Sequence, residues 1–161
     1  MSGFLSIDTS NSNVRFIIKK LVVLKVKGIL SGFDGAIYFD EYHLEDSFFD
    51  VSLTPVTVKT GNSKWDERLR SWDFFYVKKY PTIRFNSITV KKLNNLFHVK
   101  GILKMLEKSV ELTIPLEYKN GVFSGIFSLD RMDYDLGKKF PPIFIGKNIE
   151  ITVNCVTLNN S

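Results

Sequence analysis

Hydrophobic and polar positions alternate with a period of two along most of this chain. The pattern is clearest in the last third, where residues 97–105, 110–118, 123–129 and 149–155 each place apolar side chains on one face. A period of two is typical of strands that bury one face. Asn120-Gly121 lies between two of these runs and predicts a tight hairpin, because both residues tolerate positive φ.

The first half of the chain shows the same alternation, with interruptions that predict bends. Residues 13–18 are a predicted strand, and Gly-Phe-Asp-Gly at 32–35 predicts a turn between two more. Gly28 and Gly32 on the inward face also predict bulging or the close approach of another segment. Pro55 marks an edge or a bulge, since proline cannot donate to a ladder. The alternation shifts near Ser87, and Asn94-Asn95 predicts a further turn. Together the runs give eight to nine antiparallel strands, enough to close a barrel that can hold one small ligand.

A single stretch near the middle of the chain breaks the alternation. Asn62 or Ser63 can cap a helix, and Trp65, Leu69 and Trp72 follow at i, i+4 and i+7 on one helical face. The spacing predicts a short amphipathic helix between Asn62 and Trp72. Its aromatic face needs an apolar surface to pack on, and one end of the barrel would supply it.

Composition favours one domain spanning residues 1–161, because a chain of this length with 44% hydrophobic residues can bury its own core. Lysines interrupt the most apolar segment, residues 16–30, so it does not predict a membrane span. The first residues show no basic segment followed by an apolar one, so no secretory signal is visible. A cytoplasmic location is therefore expected, or a periplasmic one if a leader has been removed.

Charge is concentrated in the middle of the chain. Residues 59–108 contain twelve Lys and Arg against four Asp and Glu. A basic surface of this kind is expected to favour transient contact with an anionic membrane. The alternative is an OB-like basic barrel that binds single-stranded nucleic acid. Because the lysines lie on strand faces opposite the aromatic residues, no nucleic-acid partner is expected.

Groups that could support catalysis are sparse. His43 lies in an acidic loop and His98 on an outward strand face, with no second histidine at metal-ligand spacing. Cys155, the only cysteine, alternates with Ile151 and Val153 and is predicted to be a buried apolar residue. The sequence therefore predicts no catalytic residue, no metal site and no cofactor.

Three aspartates, at positions 130, 133 and 135, surround Arg131. Their spacing lacks the glycine and the distal glutamate of a calcium-binding loop. An ion pair between Arg131 and these aspartates within the loop is the simpler interpretation.

Inward positions on nearly every predicted strand are Phe, Ile, Leu or Val. An eight-stranded barrel can be filled by such side chains, or it can leave a tube that they line. The residues alone leave both alternatives open.

Several segments resemble the YceI-like domain family. They are Thr60-Gly61-Asn62 through Asp66, Asp73-Phe74-Phe75, Tyr80-Pro81 through Ser87, and Phe127-Ser128-Leu129-Asp130-Arg131. The resemblance implies a lipocalin-like antiparallel barrel whose apolar interior holds an isoprenoid or fatty-acyl chain and whose mouth is closed by the helical segment. The chain departs from the family pattern at Trp65-Asp66 and Arg68-Leu69, where the family has Arg-Asp and His-Leu, so head-group preference does not transfer.

The combined prediction is an all-β fold, a single eight-stranded antiparallel lipocalin-like barrel with a short capping helix. Its expected function is to bind, and to carry or store, a long-chain amphiphilic lipid without catalysis: an isoprenoid, an isoprenoid quinone or a fatty-acid derivative. A homodimer is left open. The tail is predicted to contact Phe16, Ile18, Ile37, Phe39, Leu53, Phe85, Leu103, Ile114, Phe127 and Val153. The head group is predicted to lie near Trp65, Arg68, Leu69, Trp72, Phe74 and Phe75.

Overall fold

The computed structural model describes residues 3–159 and consists mainly of strands. The strands are β1 (Gly3–Ile7), β2 (Asn13–Lys20), β3 (Leu24–Phe39), β4 (Phe48–Lys59), β5 (Ile83–Leu93), β6 (Leu96–Met105), β7 (Lys108–Lys119), β8 (Val122–Asp130) and β9 (Ile145–Asn159). One α-helix, α1 (Ser63–Arg70), and two short 3₁₀ turns, Leu44–Asp46 and Arg131–Tyr134, complete the secondary structure over those residues. No helix among them is long and apolar enough to cross a membrane.

The strands form one closed antiparallel barrel. Hydrogen bonds link them in the order β3-β2-β9-β8-β7-β6-β5-β4, and pairing between β3 and β4 closes the ring. β1 occupies the same position as β2, because both pair with β3 and with β9 at different heights. The nine strand segments therefore fill eight positions, and the predicted eight-stranded barrel with its short helix is confirmed.

The turn predicted at residues 32–35 is wrong, whereas the predicted bulging at the inward glycines is confirmed at Gly32. β3 runs without a break through this segment, and its pairing with β4 shifts register on both sides of Ser31. Gly32 and Gly35 hold φ angles of 74° and 131°, and a Cβ at Gly35 would overlap the backbone carbonyl of Asp50 on β4. The glycines therefore serve a bulge that bends a long strand around the barrel, not a reversal of the chain.

The other predicted irregularities are confirmed. Pro55 is buried in β4, beside the register shift between β3 and β4, and the pairing of β5 with β6 shifts between Ser87 and Thr89. Asn94-Asn95 and Asn120-Gly121 both hold positive φ at their hairpin tips, as tight hairpins require.

Aromatic rings close the barrel at the end that carries those two hairpins. Phe39 makes edge-to-face contacts with Phe97, Tyr118 and Phe123 at centroid distances of 4.9–5.0 Å, and Phe49 contacts Phe123 at 5.1 Å. We call these five residues the floor. Helix α1 follows β4 at the opposite end, so the barrel has a closed floor and a capped mouth.

A glycine on β6 fixes how close two neighbouring strands lie. A Cβ at Gly101 would overlap both the carbonyl oxygen of Asn86 and the ring of Phe85 on β5. Phe85 is buried and faces the barrel interior. Gly101 thus gives this ring the space it occupies, in the manner of an aromatic ring covering a glycine on an adjacent strand.

Gly101→Ala is accordingly expected to lower the free energy of unfolding by about 1–3 kcal/mol, because overpacking displaces the strand or the ring. Urea unfolding followed by circular dichroism measures this. Gly146→Ala is the matched control, since its Cβ would meet nothing closer than 3.5 Å. The explanation fails if both variants unfold at the same urea concentration.

Candidate functional site

The barrel encloses an apolar cavity of about 160 Å³. Every strand from β2 to β9 contributes an inward-facing side chain to its wall, and α1 contributes Trp65 and Leu69 at the mouth. Apolar cavities of this size stay dry and accept apolar guests. The inward side chains therefore leave a space inside the barrel and do not fill it completely.

Local hydrogen bonds hold in place the cap, which consists of α1 and the turn that follows it as far as Phe75. The Asn62 side chain accepts a hydrogen bond from the backbone N–H of Trp65 and caps α1. Asp66 accepts hydrogen bonds from both the backbone N–H and the hydroxyl of Thr60, at 2.8 and 2.6 Å. These contacts tie the first turn of the helix to the end of β4, so that Leu69 is buried against the barrel.

The structure brings together most of the residues that the sequence predicted for the ligand site. Those that line the cavity are Phe16, Ile18, Ile37, Leu53, Trp65, Leu69, Phe74, Phe75, Phe85, Leu103, Ile114, Phe127 and Val153. Three lie elsewhere. Phe39 belongs to the floor, Arg68 lines a groove outside the mouth, and Trp72 is 69% exposed with its ring 5.3 Å from the Lys139 ammonium.

Sequence reasoning missed several residues of the wall. Phe33, Phe49 and Met105 line it, as do parts of Lys19, Lys20 and Arg131. The turn predicted at residues 32–35 contains Phe33, so the alternation did not show that Phe33 faces inward. Met105 continues the alternation of Phe97 to Leu103, so this signal was available.

The interpretation of Arg131 as a loop ion pair is wrong. Its side chain is completely buried, and the guanidinium donates hydrogen bonds to five backbone carbonyls, those of Leu136, Gly137, Phe140, Ile145 and Gly146, at 2.6–3.1 Å. Burial lowers the pKa of this guanidinium, and Asp130 opposes the shift. Arg131 therefore organises the loop at residues 135–146.

That loop packs against the cap and completes the mouth. The Phe140 ring stacks on Phe74 at 5.4 Å between centroids, and the Arg68 guanidinium lies 5.4 Å from the Phe140 ring. Lys139 forms an ion pair with Asp73 at 2.9 Å. The two segments hold each other by stacked rings and paired charges.

A surface groove adjoins the cavity at the mouth. Its walls are formed by Lys20, Leu21, Lys64, Trp65, Arg68, Phe140, Phe144 and Ile145. Lys20, Trp65 and Ile145 also line the cavity, and the Lys20 ammonium lies 5.0 Å from the Trp65 ring. Three cations, Lys20, Lys64 and Arg68, therefore line a groove next to the apolar cavity.

Cys155 is buried in the cavity wall, as predicted. Burial raises the pKa of its thiol to about 12, and a hydrogen bond with Ser12 opposes the shift. The folded protein is therefore expected to react with a thiol reagent at neutral pH about 1000-fold more slowly than the unfolded chain, because the thiolate is the nucleophile and the higher pKa lowers the thiolate fraction by that factor. Ellman's reagent with and without guanidinium chloride measures the ratio; equal rates would contradict the assigned burial.

A closed antiparallel barrel with an apolar interior and a single mouth-side cap defines the class of lipocalin-like barrels. The chain belongs to the YceI-like domain family, whose model matches residues 5–157. A UPF0312 protein of Photorhabdus laumondii is 30% identical over 101 residues, which cover 63% of this chain and 53% of that protein. Protein YceI of Escherichia coli is 32% identical over 106 residues, covering 66% and 54%. The match spans about half the length of these curated relatives.

Solved structures share the fold. BcnA of Burkholderia cenocepacia superposes with a TM-score of 0.86 at 19% identity, covering 95% of this chain and 99% of that one. A YceI protein of Campylobacter jejuni gives 0.75 at 25% identity, covering 89% and 90%. A polyisoprenoid binding domain from Saccharophagus degradans gives 0.72 at 12% identity, covering 98% of both chains.

Proposed function

We propose that this protein binds a long-chain amphiphilic lipid in the barrel and carries or stores it without catalysis. The observation that carries the proposal is the apolar cavity of about 160 Å³ with a wall drawn from every strand between β2 and β9. Burial of each methylene of a chain contributes about 0.8 kcal/mol. An apolar tail therefore gains far more from this cavity than a compact polar ligand does.

An isoprenoid or isoprenoid quinone is the ligand class that we favour, ahead of a fatty-acid derivative. The Saccharophagus domain, which has this fold, is named for polyisoprenoid binding. A smooth apolar wall discriminates weakly between chains that differ by a few methylenes, so chain length is expected to be selected loosely.

The head group is proposed to lie in the groove outside the mouth. Arg68, Lys64 and Lys20 line it, and a guanidinium with two ammonium groups is suited to a phosphate or carboxylate. The tail then extends from this groove past Trp65 and Leu69 into the barrel.

Native mass spectrometry of the purified protein tests the proposal, followed by organic extraction and identification of the released molecule. A mass shift that extraction assigns to a prenyl or acyl chain is the expected result. If the protein is empty and also excludes added prenyl alcohols and fatty acids, the proposal is wrong. The nucleic-acid alternative is not favoured, because Phe16, Phe85 and Phe127 face the cavity and are not available to stack on bases.

A further inference from the structure

The hairpin between β2 and β3 carries apolar residues where water is expected. Its tip is Leu21-Val22-Val23-Leu24, and Val22 and Val23 are 67% and 82% exposed. Tight hairpins usually use Asn, Asp or Gly at such a tip. Here Leu21 and Val22 hold φ angles of 52° and 69°, which is uncommon for bulky or β-branched residues. Neither the turn geometry nor contact with water explains why these four side chains are apolar.

A second loop extends this apolar surface. The backbone N–H of Leu21 donates a hydrogen bond to the carbonyl of Phe144 at 2.8 Å, and Ile143 and Phe144 are themselves exposed. We call the combined surface the apolar patch; it consists of Leu21, Val22, Val23, Leu24, Ile143 and Phe144. Large exposed apolar patches on soluble domains mark interaction sites.

Lysines lie on the two strands that carry the hairpin of the apolar patch. The chain has no Asp or Glu between Asp8 and Asp34, and this segment brings Lys19, Lys25 and Lys27 to the strands that carry the patch. Within residues 3–159 none of these three lysines lies within 4 Å of a carboxylate. An apolar centre with free cations around it is complementary to an anionic bilayer, which offers acyl chains below a layer of negative charge.

The apolar patch lies directly beside the mouth. Leu21 and Phe144 line the same groove as Lys20 and Trp65, and the latter two also line the cavity. A surface that touches the patch therefore also faces the entrance of the barrel. A lipid tail that passes between a bilayer and the cavity along this groove would not have to cross water.

We propose that the apolar patch docks the mouth of the barrel on an anionic lipid bilayer, with the hairpin tip in the interfacial layer. Each lysine near such a surface strengthens binding about fivefold. A second copy of this chain is a poorer occupant, because a two-fold contact would set the lysines of one copy against those of the other. Docking goes beyond the proposed lipid binding and does not require a filled cavity, so either proposal can fail alone.

Co-sedimentation with vesicles tests the docking proposal. The probes are phosphatidylcholine vesicles with and without phosphatidylserine. We expect the protein to sediment with the anionic vesicles and at least about tenfold more weakly with the neutral ones. The double substitution Val22→Asp with Val23→Asp is expected to reduce binding to anionic vesicles at least about tenfold, because it places charge in the interfacial layer.

Matched controls exist at the opposite end of the barrel. Leu93, beside the Asn94-Asn95 turn, is 60% exposed, so Leu93→Asp changes an exposed apolar hairpin residue away from the mouth and is expected to leave vesicle binding unchanged. Lys25→Glu with Lys27→Glu is expected to abolish the preference for anionic vesicles, and neither residue lines the cavity. Lys91→Glu with Lys119→Glu produces the same net charge on strands near the floor and is expected to retain the preference.

A label on the tip reports insertion independently of variant stability. Cys155 is buried, so an environment-sensitive dye attaches selectively to Val23→Cys, and its emission should shift to the blue on anionic vesicles. The emission of a dye on Leu93→Cys should not shift.

Absence of sedimentation with either vesicle overturns the proposal. So does unchanged binding by the Asp variant, or a dimer in light scattering that the Asp variant dissociates, since a second copy would then cover the patch.

Discussion

Replacing Phe127 with arginine is expected to abolish lipid retention by the barrel. Phe127 lies on β8, faces the cavity and pairs with Ile151 on β9. A guanidinium at this depth meets an apolar wall, and an unpaired buried charge costs several kcal/mol. We expect the affinity for a prenyl or acyl probe to fall at least about 100-fold, equivalent to about 2.7 kcal/mol. Displacement of a fluorescent fatty acid measures it.

The neighbouring residue supplies the control for this experiment. Ile126 lies on the same strand and is 62% exposed on the outer face, so Ile126→Arg adds the same side chain outside the barrel and is expected to bind the probe normally. Phe127→Leu should also retain binding. A folded Phe127→Arg protein, judged by circular dichroism, that binds the probe as the parent does would show that the ligand lies elsewhere.

Most of the cavity wall could be predicted from the period-two pattern. On β6, for example, inward Val99 and Leu103 alternate with outward Lys100 and Lys104, and the structure places the first two in the wall. Alternation is sufficient here because regular antiparallel pairing sends every second side chain to the same face. Closure of the sheet then turns that face into an interior.

The height of each inward residue along the barrel axis could not be predicted in the same way. Phe39 has the same inward parity as Ile37, yet Ile37 lines the cavity and Phe39 forms part of the floor. The pattern gives the face of a residue but not the height at which other rings meet it. The prediction that Trp72 contacts the ligand is wrong for a related reason. Helix α1 ends at Arg70, so helical spacing no longer orients a side chain two residues later.

The bulge in β3 shows the limit of turn chemistry. Gly-Phe-Asp-Gly suits a reversal, and only pairing with β4, which is distant in the sequence, keeps the segment extended. The same shift brings Phe33 into the interior, where it lines the wall. Pairing between β3 and β4 therefore outweighed the local preference of Gly-Phe-Asp-Gly for a turn.

Arg131 could not be assigned because its partners are not side chains. Neighbouring aspartates indicated an ion pair, whereas the five acceptors are backbone carbonyls of residues 136–146. Any sequence at those positions would offer the same oxygens. Only the path of the loop brings them together around one guanidinium, whose donors form a rigid planar fork.

Arg131→Met is expected to lower the free energy of unfolding by about 3–5 kcal/mol, because it removes every donor from a buried cluster of carbonyls. The local loss of stability should be greatest at the mouth. Phe140, whose carbonyl accepts one of these bonds, stacks on Phe74 of the cap, so loosening of the loop also loosens the cap. Urea unfolding measures the global effect, and hydrogen exchange at residues 135–146 measures the local one.

Two further variants test whether the stability comes from the hydrogen bonds of Arg131. One keeps the charge but loses donors, and the other removes side-chain volume at the neighbouring position. Arg131→Lys keeps the charge but cannot reach five acceptors with three donors, so it is expected to recover less than half of the lost stability. Met132→Ala changes an exposed neighbour and is expected to cost less than about 0.5 kcal/mol. Full stability of Arg131→Lys would mean that charge alone holds the loop, and unchanged stability of Arg131→Met would contradict the assigned role altogether.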